Sequence, residues 1–316
     1  MFRYVVRRLL ISIPVLLGIT MITFLAYSMA PGDPVLALIE PGVDPQYVEV
    51  RKEALGLNQP IYVRYLAWLN EVAHGNLGYS YRNGLPVVQR IAEALPATLQ
   101  LNLAATVLAL AIGVPLGILS ALRQNSLVDS FLTLASFAGI SIPVFFLSLG
   151  ALYLFALRLD WFPSHGMRDP QAAYPVLDRL HHLALPALVS GFWSIAGFLR
   201  YTRSCILEVL GMDYLRTARA KGLTERLVIV RHGFRSGLIP VVTYLGLTTP
   251  WLFGGSVIVE SIFSWPGMGQ LALMALGARD YPVIMGIALV MAMIVLVTNL
   301  LVDISYAWLD PRIRYQ

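Results

Sequence analysis

One basic segment, residues 213–240, carries six of the 23 Lys and Arg residues of this 316-residue chain. Cations of this kind can hold three types of anion: phosphates of a nucleic acid, headgroups of anionic lipid, or carboxylates of another protein. The cations of the segment are Arg216, Arg219, Lys221, Arg226, Arg231 and Arg235.

Aromatic residues separate the first two possibilities. A nucleic-acid surface combines cations on one face with aromatic partners for base stacking, and the segment offers only Tyr214 and Phe234. We therefore expect no nucleic-acid partner. Contact with anionic lipid accounts well for Arg200 and Arg203, which precede the segment.

The remaining possibility, contact with another protein, is favoured by a predicted break in the helix of this segment. Asp213 can cap a short helix on which Leu215, Ala218 and Gly222 share one face. Gly222 suits a left-handed helix end, and Thr224 can cap a second helix. The segment is thus predicted to be a broken helix. Small residues permit close approach, so this shape suits insertion into a groove of another protein, and lipid anchoring alone needs no break.

The composition of the whole chain is typical of a membrane protein. Hydrophobic residues make up 57% and charged residues 13%, with a mean hydropathy of +0.69, which predicts an all-α multi-span membrane protein. Cys205 is the only cysteine and the histidines are scattered, so we expect no metal site. The sequence lacks a phosphate-binding Gly-x-x-x-x-Gly-Lys-Ser/Thr motif and shows no motif context for a catalytic triad, so an enzyme is not expected.

Six apolar windows are long enough to span a bilayer, which needs about 20 residues. The first is interpreted as an uncleaved anchor rather than a signal peptide, because its apolar run exceeds the about 7–15 residues of a signal core. The windows cover residues 9–30, 97–122, 131–157, 183–205, 238–263 and 282–308.

Positive charge sets the orientation. An even number of spans places both termini on one side of the membrane. Eight cations between Arg200 and Arg235 lie on that same side. Cytoplasmic loops carry an excess of Lys and Arg, so both termini are expected in the cytoplasm. The predicted organisation is an N-terminus and first span (1–30), an extracytoplasmic region (31–96) and a five-span core (97–316) with a cytoplasmic loop at 206–237. The run Tyr62, Tyr65, Leu66, Leu69 predicts a helix within the outer region.

Several intramembrane features have both a functional and a structural interpretation. Asp303 could relay protons, but a structural ion pair with Arg200 or Arg203 is favoured. Pro143 predicts a bend in the third span, and Gly113 with Gly117 fits a helix-packing pattern. Other polar candidates within or near the spans are Gln100, Asn102, Thr248, Thr249, Glu260 and Asn299.

The run Asp-Tyr-Leu-Arg-Thr-Ala-Arg-Ala-Lys-Gly-Leu at 213–223 resembles the coupling-loop signature of the dipeptide/oligopeptide/nickel branch of ABC-importer permeases. Further similar stretches lie, in order, at 30–34, 55–60, 75–80 and 260–269, so the resemblance covers essentially the whole chain. The wider superfamily has Glu-Ala-Ala, three residues, then Gly; here Arg216, Thr217 and Ala218 precede Gly222, so only the second alanine and the glycine match.

The resemblance implies a type I importer architecture with defined partners. These are a second homologous permease, two ATPase subunits that bind ATP and magnesium, and an extracytoplasmic solute-binding protein, all at a bacterial cytoplasmic membrane. A wide, weakly polar cavity would suit a peptide, although the resemblance does not fix the solute. The alternative is a secondary transporter driven by an ion gradient. The residues expected to contact the ATPase are Ala218, Arg219, Ala220, Lys221, Gly222 and Leu223.

Overall fold

A computed structural model describes residues 2–29, 35, 44–254 and 256–309. Within these residues the chain is helical, and its sole β-type pairing is an isolated bridge between Tyr79 and Pro86. The predicted all-helical class is thus confirmed. The helices are α1 Phe2–Ser28, α2 Pro45–Ala54, α3 Ile61–Ala73, α4 Val87–Leu122, α5 Leu127–Ser141, α6 Val144–Ala151, α7 Pro175–Leu210, α8 Asp213–Ala220, α9 Glu225–Leu227, α10 Phe234–Thr248, α11 Trp251–Gly254, α12 Val257–Ile262, α13 Met268–Gly277 and α14 Tyr281–Leu309.

Two of these helices continue as π-helix, α6 through Leu152–Arg158 and α9 through Val228–Gly233. The helix predicted around Tyr62 is confirmed as α3. Residues 30–34, which carry one stretch of the family resemblance, lie outside the described part of the chain.

Four helices of the described part are long and apolar enough to cross a membrane: they correspond to α1, α4, α7 and α14. A fifth crossing can come from the pair α5 and α6, which meet at a 99° bend. The predicted kink at Pro143 is confirmed, because Ile142 takes the extended conformation that a following proline imposes. Trp193 Nε1 donates a hydrogen bond to the Ile142 carbonyl at 3.3 Å and satisfies one acceptor freed by the bend.

The window predicted at 238–263 is not one helix. It is divided into α10, α11 and α12, with breaks after Thr248 and after Gly254. Pro250 lies in the first break, and Ser256 caps α12 by accepting a hydrogen bond from the Val259 backbone N–H at 3.3 Å. The apolar helix that remains in this window, residues 236–248, is shorter than a full crossing.

The chain divides into two compact units, the first made of residues 1–98 and 266–316. Its core surrounds Val87 and Met268, which are almost fully buried. Helix α14 packs along α1, and Arg8 Nη2 lies 2.8 Å from Asp303 Oδ2. The expected structural ion pair of Asp303 therefore exists, but the expectation that Arg200 or Arg203 supplies its cation was wrong.

The segment before α4 is held within this first unit by one buried carboxylate. Asp280 is 3% exposed and accepts hydrogen bonds from the Ser80 hydroxyl and, at 3.0 Å, from the Tyr81 backbone N–H. The segment also carries left-handed glycines at Gly75 and Gly78. The Asp280 contacts hold it against the beginning of α14.

The second unit, residues 99–265, is organised around α7. Helices α5 and α10 both pack on α7. Glycines let α4 approach it: a Cβ added at Gly113 would lie 2.7 Å from the Ile195 carbonyl oxygen, and one at Gly117 would lie 2.6 Å from the Leu199 oxygen. The Gly113–Gly117 pattern is thus a packing surface, as the small-residue spacing predicts.

Replacing Gly117 by leucine is expected to separate α4 from α7 and to destabilise the protein by about 1–3 kcal/mol through overpacking. Gly150→Leu is the matched control, because a Cβ at Gly150 meets nothing within 4 Å. The measurement is the thermal unfolding midpoint of the purified protein in detergent. Equal midpoints for the two variants would contradict the packing role.

Candidate functional site: the loop between α7 and α10

The short helix α8 is anchored to its own unit by a single apolar side chain. Leu215 is fully buried and packs with Val209 and Val228, and Leu210 and Ala218 border this cluster. Ala218 is partly buried, and the other side chains of α8 are exposed. Burying Leu215 contributes on the order of 2 kcal/mol. Helix α8 is therefore held at a defined place while most of its surface stays available.

The beginning of α8 differs from the expectation. Met212 occupies the N-cap position without a side-chain hydrogen bond, and Asp213 is the first helical residue. Asp213 instead accepts through its backbone: the Thr217 hydroxyl donates to its carbonyl at 3.0 Å. A carboxylate in the first turn still interacts favourably with the helix dipole, so Asp213 supports the helix start by charge rather than by capping.

The break at Gly222 is confirmed. Gly222 has φ +80°, and its N–H donates to the Arg219 carbonyl at 2.9 Å, while the Lys221 N–H donates to the Thr217 carbonyl at 3.1 Å. A Cβ at Gly222 would meet nothing within 4 Å. The position therefore requires glycine for its left-handed backbone and not for lack of space.

Arg219 closes the break by pairing with Glu225 on the other side. Its Nε lies 3.0 Å from Glu225 Oε2 and its Nη2 lies 2.9 Å from Oε1, so the contact is bidentate. The hydrogen bonds from Arg219 lower the pKa of the Glu225 carboxyl below its ordinary value. We call this ion pair the Arg219–Glu225 clasp.

Removing one member of the clasp by Glu225→Ala is expected to reduce the ATP-driven transport that the resemblance implies about two- to fivefold, because an exposed ion pair positions the loop only weakly. The double variant Arg219→Ala/Glu225→Ala should be no worse than Arg219→Ala alone, as measured by uptake into vesicles. Because the folded-state pKa of Glu225 is lowered, the clasp contributes fully above the ordinary carboxyl pKa and is lost as pH falls through the lowered value. An additive double variant would show that the two side chains act separately.

Five of the six residues expected to contact an ATPase project outward. Arg219, Ala220, Lys221, Gly222 and Leu223 are exposed, with Leu223 36% exposed although it is apolar. Ala218, the sixth residue of the set, is partly buried and borders the chain's own Leu215 cluster. The side chains of Arg226, Arg231 and Arg235 lie outside the described part of the structure.

A second polar cluster lies where α4, α5 and α7 meet, and the sequence reasoning missed it. Asp129 is 4% exposed and receives Arg203 at both oxygens, Nε to Oδ1 at 2.7 Å and Nη2 to Oδ2 at 2.8 Å. The Ser120 hydroxyl donates to Oδ1 at 2.5 Å and the Asn125 N–H to Oδ2 at 3.1 Å. This carboxylate therefore ties three segments together.

Other polar side chains within or near the spans contact the chain itself, whereas Asn299 is exposed. Arg200 lies over the Phe137 ring, with 5.0 Å from its guanidinium carbon to the ring centroid. Gln100 Oε1 accepts from Arg179 Nη2 at 2.6 Å, and Glu260 is fully buried. Among the described residues, no group of three or more His, Cys, Asp or Glu side chains is placed to hold a metal ion.

Asn102, Thr248 and Thr249, which the sequence also singled out, share a different setting. All three line a cavity of about 570 Å³ inside the second unit. No spacing rule could have brought them together, because they lie on α4, on α10 and just beyond α10.

Four long apolar helices and one bent helix pair define a multi-pass membrane protein, and its glycine-broken loop is exposed. Residues 113–315 match the family described as "Binding-protein-dependent transport system inner membrane component", and residues 1–102 match the corresponding N-terminal family, described as "Binding-prot-dependent transport system membrane comp, N-term". The chain belongs to this family of transport-system membrane components.

Relatives are similar over full length. The oligopeptide transport system permease protein AppB of Bacillus subtilis (strain 168) is 46% identical over 316 residues, which is 100% of each chain. The dipeptide transport system permease proteins DppB of Alkalihalophilus pseudofirmus and Escherichia coli (strain K12) are 40% and 37% identical, again with 100% of each chain covered.

Proposed function

We propose that this chain is the permease subunit of an ATP-binding-cassette importer for dipeptides, oligopeptides or chemically related solutes. The observation that carries the proposal is the full-length similarity to permeases named for oligopeptide and dipeptide transport. The exposed loop around Gly222 supports the same function. A transporter that obtains energy from another subunit needs a surface that contacts that subunit. In this role the chain hydrolyses nothing itself.

The proposed assembly contains a second homologous permease, two ATPase subunits and an extracytoplasmic solute-binding protein. ATP and Mg²⁺ bind in the ATPase subunits. The complex lies in a bacterial cytoplasmic membrane with both termini of this chain inside. The cluster of cations between Arg200 and Arg235 supports this orientation, because cytoplasmic loops carry an excess of Lys and Arg.

The exposed residues at the end of α8 receive the movement that ATP hydrolysis causes in the ATPase subunits. Arg219, Ala220, Lys221, Gly222 and Leu223 contact the ATPase surface directly. Ala218 faces the chain's own cluster, so its role is to pass movement of α8 to Leu215. Val209 of that cluster belongs to α7, and α7 packs against α5 and α10. A shift of α8 is thereby connected to the helices of the second unit and changes which side of the membrane they leave open.

Reconstitution of the complete complex into vesicles, with this chain, the second permease, the ATPase subunits and the solute-binding protein, tests the proposal. Uptake of radiolabelled alanine oligopeptides should require ATP and all partner subunits, and a non-hydrolysable ATP analogue should stop it. Vesicles containing this chain alone should show no uptake above empty vesicles. Uptake by the chain alone under an ion gradient would identify a secondary transporter and overturn the proposal.

A further inference from the structure

The cavity of about 570 Å³ lies wholly within residues 99–265. Its walls come from α4, α6, α7 and α10, with Leu252 from α11 and Ser256 from the residue before α12. Its volume falls inside the range of about 300–1,000 Å³ that is typical of sites for small ligands.

The cavity is weakly polar, and none of its described lining residues is Asp, Glu, Lys, Arg or His. The apolar part of the wall includes Trp193, Phe198 and Leu245. Hydroxyl and amide side chains supply the polar part, and they are Asn102, Thr106, Ser190, Ser194, Tyr244, Thr248, Thr249 and Ser256.

Several of these groups retain hydrogen-bonding capacity toward the cavity. The Thr248 and Thr249 hydroxyls both donate to the Leu245 carbonyl, at 2.9 and 3.0 Å, which leaves each hydroxyl oxygen able to accept. Ser194 and Tyr244 also present hydroxyl groups on the cavity wall, and a hydroxyl can donate a hydrogen bond. The wall can therefore serve both the N–H and the C=O of an amide.

We propose that this cavity binds the uncharged backbone amides in the interior of a peptide, while the charged ends of the peptide lie outside it. The proposal rests on the peptide-import function above and deepens it. Burying an ammonium or carboxylate without a counter-ion is far more costly than burying an amide that is hydrogen-bonded, and no counter-ion lines the wall.

Peptide length follows from the same geometry. A sphere of this volume is about 10 Å across, whereas two residues of extended chain span at most about 7 Å. Both charges of a dipeptide would then fall inside the cavity, but a tetrapeptide can place its middle there and leave both ends in water. The cavity selects oligopeptides, or peptides with blocked ends, over free dipeptides.

Protection of an introduced cysteine tests this directly. Cys205 is the only cysteine of the chain, so Cys205→Ala gives a background for Ser194→Cys in the cavity and for Ser164→Cys as a control between α6 and α7. The permease–ATPase complex is purified in detergent without the binding protein, so that peptides reach the cavity unaided. The probes are tetra-alanine, N-acetyl-tetra-alanine amide and dialanine, and the readout is the rate of modification by a small thiol reagent.

We expect both tetrapeptides, at about ten times the half-protecting concentration, to slow modification at position 194 about tenfold. Dialanine at equal concentration should change it less than twofold, and no probe should affect position 164. Unchanged rates with tetra-alanine, equal protection by dialanine, protection at both positions, or a position 194 that never reacts in the assembled complex would each overturn the proposal.

A second variant avoids reliance on cysteine. Gly197→Val narrows the cavity, because a Cβ at Gly197 would already lie 3.4 Å from the Tyr244 hydroxyl oxygen. It should weaken tetra-alanine protection of position 194 at least fivefold, whereas Gly150→Val, in open space, should not. Equal protection in the two variants would overturn the proposal. ATP-driven tetra-alanine uptake without protection defeats only this inference, whereas absence of uptake for every peptide defeats the proposed function itself.

Discussion

Gly222→Val is expected to abolish ATP-driven uptake while leaving a folded protein that still assembles. Gly222 has φ +80°, where a β-branched residue is strained by about 1–3 kcal/mol. The loop can relieve that strain by rotating the backbone at 222, which reorients residues 219–223 relative to α8. Uptake into vesicles and the ATPase rate of the complex are measured together, and loss of uptake with retained ATP hydrolysis is the expected signature.

Gly75→Val is the matched control for this change. Gly75 has the same φ of +80°, also has open space around its Cβ position, and lies between α3 and α4, outside the proposed ATPase contact set. It introduces equal backbone strain at a site with no coupling role. If both variants transport normally, or if both fail alike, the loop around Gly222 has no special part in coupling.

The structure also changes which steric probe is informative. Ala218 borders the buried Leu215 cluster, so Ala218→Trp would disturb the protein's own packing as well as any ATPase contact. Ala220 is exposed, so Ala220→Trp adds bulk only on the outer surface. We expect Ala220→Trp to block uptake without lowering the unfolding midpoint. A normal uptake rate for this variant would place the ATPase contact elsewhere.

The largest expected effect on stability comes from Asp129→Ala. The change removes the partner of Arg203 and strands a guanidinium whose side chain is 28% exposed, beside unsatisfied donors from Ser120 and Asn125. Breaking a buried ion pair typically costs about 3–5 kcal/mol, and the partial exposure of Arg203 favours the lower end. Thermal unfolding of the purified protein in detergent measures the loss.

An exposed pair provides the comparison for Asp129. Asp213 and Arg216 are joined at 3.4 Å, with side chains 93% and 73% exposed, and Asp213→Ala should cost less than about 1 kcal/mol. Asp129→Ala/Arg203→Met should recover part of the loss, because it removes the stranded charge. If Asp129→Ala behaves like Asp213→Ala, the buried cluster is not a structural tie.

Local signals predicted local structure well. Gly222 and Pro143 act on their own backbone, so the left-handed helix end and the 99° bend followed directly from residue type. The spacing of Gly113 and Gly117 likewise predicted a packing surface. The division of the window at 238–263 had a signal in Pro250 and Gly254, but window hydropathy averages over such residues and hides them.

Pairings between distant residues could not be predicted. Asp129 was not among the candidate residues, and Arg203, 74 residues away, was assigned to lipid or to Asp303. The true partner of Asp303 is Arg8, from α1. The cavity could not be predicted either, because its walls come from separate helices and only the tertiary structure brings them together. Coupling by residues 218–223 remains a prediction from the sequence.

The division into two units bears on how the protein is made. Residues 99–265 are contiguous, so this unit can pack as soon as its last helix leaves the ribosome and enters the bilayer. The other unit joins residues 1–98 to residues 266–316, so α1 must wait in the membrane, with Arg8 still lacking Asp303, until synthesis is almost complete. Premature termination within α14 would therefore harm the earliest-made part of the protein more than the middle.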